Sequence, residues 1–80
     1  MLERAREKLG SDPAAALAEL DAHAAKFPSG QLGSERELLA IDAQKRLGRN
    51  AEAKKRGEAF IARNPKSLYA ERVRKLIDGL

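Results

Sequence analysis

The chain repeats itself. Laid over residues 51–65, residues 14–28 match at a shift of 37, pairing Ala14 with Ala51, Ala16 with Ala53, Ala22 with Ala59, Ala25 with Ala62, Lys26 with Arg63 and Pro28 with Pro65. The flanks agree with small slips, Leu9 and Gly10 falling on Leu47 and Gly48 at a shift of 38, and Glu35 and Arg36 on Glu71 and Arg72 at a shift of 36. A fixed period of this length marks a supersecondary unit that cannot bury its apolar face alone and must stack on its neighbours. About two and a half such units fit into 80 residues, which is room for one domain, residues 1–80.

Glycine and proline set the boundaries of the units, and each carries the chemistry of a helix start or stop. They predict an all-α fold of about five helices, near residues 1–9, 13–27, 31–47, 51–63 and 68–78. Gly10 is placed to close the first, and Asp12 to cap the second with Pro13 at its first turn, where a missing N–H costs nothing. Leu17, Leu20, Ala24 and Phe27 then form one apolar stripe. The third helix opens on Ser34-Glu35-Arg36-Glu37, which spells a capping box, although a start near Gln31 fits equally well. Its Leu38, Leu39, Ala40, Ile41, Ala43 and Leu47 spread nearly around the barrel, so it is expected at the centre with neighbours on both sides. Asn50 is expected to cap the fourth, where mid-helix Gly57 gives up about 1 kcal/mol relative to alanine, which points to a close helix contact. Ser67 opens the fifth, with Tyr69, Val73, Leu76 and Leu80 as its seam.

Hydrophobic residues make up 42% of the chain, but many are alanine, and Phe27, Phe60 and Tyr69 are the whole aromatic complement. The core must therefore be thin, formed where helices come close over small side chains.

This layout resembles the tetratricopeptide family, in which a helix, a glycine-bearing turn, a second helix with a small residue near its start and a closing proline make one unit. Gly48, Ala53 and Pro65 fall on those positions, as do Ala16 and Pro28 in the preceding unit. Gln44 stands where the family usually has tyrosine, Gly57 replaces a bulky aromatic, and the period of 37 exceeds the usual 34. Such longer, degenerate repeats look most like those of bacterial cell-envelope scaffold proteins. The resemblance implies antiparallel helix pairs stacked as a short solenoid, a protein-protein interaction scaffold with no catalysis, and a concave groove lined by the first helix of each pair. Mapped onto this chain, the groove residues are Glu35, Leu38, Asp42, Lys45, Tyr69, Arg72 and Leu76.

Read from the residues themselves, catalysis has no visible machinery: there is one histidine, no cysteine, and no glycine-rich phosphate loop following a strand. His23 lies beside the apolar stripe of the second helix, where a structural hydrogen bond is its ordinary role. No metal site or cofactor is expected, since no second histidine or thiolate exists to complete a ligand set. The first residues are highly charged and contain neither a signal peptide nor a membrane anchor, and their abrupt helical start reads as part of a longer protein. Compartment stays open: envelope-associated or periplasmic as part of a longer chain, cytoplasmic otherwise.

Charge is uneven. Residues 45–75 hold eleven basic against three acidic side chains, while residues 1–44 hold five against eight. A basic patch of Lys45, Arg46, Arg49, Lys54, Lys55 and Arg56 supports a second reading, nucleic-acid binding, against which the absence of stacking aromatics weighs. In a third reading the repeats only stack on neighbouring repeats, and an isolated copy would self-associate through exposed end faces.

Overall fold

The computed structural model of the chain describes residues 2–26 and 33–80. They form five helices, α1 (Leu2–Ser11), α2 (Pro13–Lys26), α3 (Gly33–Arg46), α4 (Asn50–Arg63) and α5 (Leu68–Ile77), and no strand occurs among the described residues. Phe27, Pro28 and Gln31 lie outside them.

Local chemistry explains most boundaries. Asp12 caps α2 as expected, its carboxylate accepting from the Ala15 N–H at 3.1 Å. Gly48 takes φ +77° just past α3, with the Arg49 N–H donating to the Gln44 carbonyl at 2.9 Å and the Gly48 N–H to that of Lys45 at 3.1 Å. This pair of bonds is the Schellman closure, which a left-handed glycine makes without steric cost. Ser67 caps α5 by accepting from the Tyr69 N–H at 3.1 Å.

Three boundaries differ from the sequence reading. Gly10 does not close α1, which runs on to Ser11; the single residue Asp12 joins it to α2, and its N–H still bonds back to Lys8, so no left-handed residue is required. Ser34 is the second residue of α3 instead of its cap, and the Glu37 carboxylate that would complete a capping box is taken by Arg56. Asn50 is already helical, because the first backbone bond of α4 runs from the Ala53 N–H to the Arg49 carbonyl; Arg49 holds the cap position without a side-chain bond.

Packing centres on α3, which packs on every other helix, whereas α2 packs on α1 and α3, and α4 on α3 and α5, with α2 and α4 meeting through the long side chain of Arg56. Two core clusters result. The first joins Ala5 and Leu9 of α1, Ala16, Leu17 and Leu20 of α2, and Leu39, Ala40 and Ala43 of α3. The second joins Ile41 of α3 with Ala53 and Phe60 of α4 and Val73 and Ile77 of α5. Central α3 thus feeds both sides, which is why its apolar residues wrap around it. Among the described residues six of the fourteen buried core residues are alanine, so the helices meet at short range, and the thinnest dimension is 17 Å.

Ala16 and Ala53, one period apart, are both fully buried. Leu20 and Gly57 are likewise equivalent, but size is exchanged: Leu20 clusters with the small Ala40 and Ala43, while Gly57 lies against the large Ile77 and Val73. A Cβ at Gly57 would sit 2.7 Å from Ile77 Cγ2 and 3.1 Å from Val73 Cγ1. The mid-helix glycine is therefore the close contact its position predicts.

Candidate functional site

The Schellman turn and the Ser67 cap fix where α3 ends and α5 begins, and the contact of Ile77 and Val73 with Gly57 sets how α5 lies on α4. Between α3 and α5 this arrangement leaves a shallow, open groove of about 440 Å³. Leu38, Leu39, Asp42 and Lys45 line it from α3, and Arg72, Lys75 and Leu76 from α5. Steps of three and four residues on each helix put these side chains on one face. The apolar part draws on both cores, Leu39 belonging to the first cluster while Leu38 and Leu76 pack against the second.

Of the seven residues mapped to the groove, Leu38, Asp42, Lys45, Arg72 and Leu76 line it together. Glu35 and Tyr69 do not. Glu35 pairs with Arg6 of α1. Tyr69 packs against the second core cluster, and the Arg72 guanidinium lies over its ring, 5.7 Å from the centroid. That cation-π contact fixes where Arg72 projects. Leu39 and Lys75 line the groove without having been singled out; Lys75 was legible as the residue three beyond Arg72 on one helix face.

The six cations of the basic patch are divided by the fold. Lys45 lines the groove. Arg46 donates to Asp42 at 3.1 Å and to the Leu9 carbonyl at 3.3 Å. Arg49, Lys55 and Arg56 line a second hollow, of about 470 Å³, together with the carboxylates Asp21 and Glu52. Lys54 is exposed on α4 and lines neither.

Arg56 belongs to a polar network that sequence reasoning missed. It grips Glu37 with two parallel hydrogen bonds of 2.9 and 3.0 Å and reaches Asp21 at 3.2 Å, tying α4 to both α3 and α2. Arg36, buried to 6% exposure, lies with Nε 3.6 Å from Glu37 and Nη1 3.4 Å from His23 Nδ1. His23 therefore joins a structural contact with α3. Nothing in the local sequence signals the network, because its partners on different helices lie 13 to 35 positions apart.

Burial alone would raise the Glu37 carboxyl, but the hydrogen bonds and charge of Arg56, with Arg36 beside it, outweigh that and hold it below its ordinary value of 4.5. A depressed carboxylate contributes stability that is present above about pH 4.5 and is lost as pH falls through the lower folded value. Glu37→Gln is thus expected to be less stable than wild type at neutral pH, by about 1 kcal/mol. Thermal melts from neutral to strongly acid pH should show the two converging below the ordinary carboxylate range; a constant gap at every pH would deny Glu37 this role.

Among the described residues no three histidine, cysteine, aspartate or glutamate side chains converge to hold a metal ion, and no described helix is long and apolar enough to cross a membrane. No family model matches the chain, and neither a curated protein nor a solved structure matches it.

Proposed function

We propose that this chain is a protein-interaction module of stacked helix pairs, in which the groove between α3 and α5 receives a peptide segment or a helix of a partner. The observation that carries this reading is the groove itself: leucines held by two separate cores face an open cleft whose other lining groups are charged. Apolar side chains presented at a concave surface and surrounded by polar groups mark a recognition site. The order of helix contacts supports a tetratricopeptide-like stack. α1, α3 and α5 pack in succession, while the backbones of α2 and α4 each pack on the helices adjacent to them in the chain and meet one another through the Arg56 side chain. Full burial of Ala16 and Ala53 supports it too, since the family places a small contact residue at that point.

Nucleic-acid binding through the basic residues is the weaker reading, because Arg46 and Arg56 are already held by Asp42, Glu37 and Asp21.

Panning a library of short random peptides on the immobilised chain tests the proposal, with a Leu38→Ser/Leu76→Ser variant as the comparison after circular dichroism has shown it folded. Selected peptides should stay bound at high salt and bind the variant at least about tenfold more weakly, as loss of two apolar anchors implies. Equal retention on the variant would place recognition elsewhere. Oligonucleotide binding that vanishes at high salt and on reversal of Lys54 and Lys55 would favour the basic residues instead.

A further inference from the structure

We propose that the segment this groove accepts is acidic: a short protein segment carrying bulky apolar side chains flanked by carboxylates. The inference rests on the reading of the groove as a peptide site and adds the chemistry of its occupant.

Three cations, Lys45, Arg72 and Lys75, stand against one carboxylate, Asp42, in the lining. Asp42 is already answered within α3, since it accepts from Arg46 Nε at 3.1 Å. Where helices meet elsewhere, cations face carboxylates: Arg6 meets Glu35, Lys8 meets Glu19, and Arg56 meets Glu37 and Asp21. Among the described residues no carboxylate lies within ion-pairing distance of Lys45, Arg72 or Lys75. The cations of these interhelical pairs are matched inside the fold, whereas those of the groove are not.

Charge of one sign around an apolar floor selects by complementarity. A basic segment would meet repulsion, and a neutral one would remove water from three cations without replacing it. Phosphate chains satisfy the cations but have nothing to place against Leu38, Leu39 and Leu76. The lining of α3 from Leu38 to Lys45 covers seven residue steps, or about 10 Å at 1.5 Å per residue, which matches two turns of a docked helix. Two apolar anchors about one turn apart, with glutamates or aspartates beside them, therefore fit the floor and the rim together.

Fluorescence anisotropy with a set of labelled synthetic peptides tests this on the whole chain. One peptide carries two leucines one turn apart among glutamates; the others replace every glutamate with glutamine, every glutamate with lysine, or both leucines with serine. The acidic leucine peptide should bind tightest, its glutamine form about tenfold more weakly at low salt, with the two converging as salt rises. The folded Lys45→Glu/Arg72→Glu/Lys75→Glu variant should reverse the order and prefer the lysine peptide, while Lys54→Glu/Arg63→Glu/Lys66→Glu should keep the wild-type order. Equal binding of the glutamate and glutamine peptides at low salt would overturn the acidic assignment and leave the groove reading standing. Failure of every leucine-bearing peptide would overturn both. If the serine peptide or a single-stranded oligonucleotide bound as tightly as the acidic leucine peptide, the site would be a charged surface without an apolar anchor, and the assignment would fail.

Discussion

Gly57→Leu is expected to drive α4 and α5 apart and to cost about 3 kcal/mol or more, because even the first carbon of a side chain has nowhere to go. A Cβ there would lie 2.7 Å from Ile77 Cγ2 and 3.0 Å from Ile77 Cδ1. Total stability for a chain of 80 residues is only about 4–12 kcal/mol, so this change alone removes a large part of it. Gly57→Ala separates the two effects in play. Helix propensity favours alanine by about 1 kcal/mol, while overpacking costs about 1–3 kcal/mol. The steric effect should win, because the obstructing atoms belong to a buried β-branched residue and not to the free end of a flexible one. A net loss of about 1 kcal/mol, or a Tm lower by roughly 4–8 °C, is expected. In an Ile77→Ala background the sign should invert, as the new methyl group fills vacated space. If Gly57→Ala raised Tm in the otherwise wild-type chain, the close contact would not be what holds glycine at this position.

Ile41→Ala should lower stability by about 3–4 kcal/mol and Tm by roughly 12–32 °C. Ile41 is fully buried and is the residue through which α3 enters the second core cluster, against Ala53, Phe60, Val73 and Ile77. The neighbouring Phe60, Val73 and Ile77 are themselves buried and packed, so they can collapse only partly into the cavity. The loss should appear as a single lowered transition, not as melting of α4 and α5 alone. Leu39, Ala40 and Ala43 anchor the same helix in the first cluster, so loosening α3 on one side weakens both. Leu38→Ala, on the partly exposed groove side, should cost much less. A loss from Ile41→Ala below about 1 kcal/mol, measured by urea denaturation, would show that the second cluster does not carry the weight its burial implies.

The helices were readable because their signals are local. Asp12 before Pro13, Gly48 after α3 and Ser67 before α5 each act within a few residues of the backbone groups they satisfy. The spread of apolar residues around α3 likewise foretold its central place. Caps failed where a distant partner competed. Glu37 has the sequence spacing of a capping box, yet Arg56, nineteen positions away, binds it. Glu35 and Tyr69 lie outside the groove lining for the same reason, one drawn to Arg6 and the other against the core. Sequence spacing gives the face of a helix a residue occupies, but not which of two neighbouring helices claims the side chain at its edge. Leu38, Asp42, Lys45, Arg72 and Leu76 sit away from that edge, and the face assignment brought them together.

Nitrogen-15 correlation spectra of the chain, recorded while the acidic leucine peptide is titrated in, test the groove most directly. Amide shifts should move together along α3 from Leu38 to Lys45 and along α5 from Arg72 to Leu76, with those of Lys54 and Lys55 little changed. Shifts concentrated around Arg49, Lys54 and Lys55, with the α3–α5 face unmoved, would contradict it.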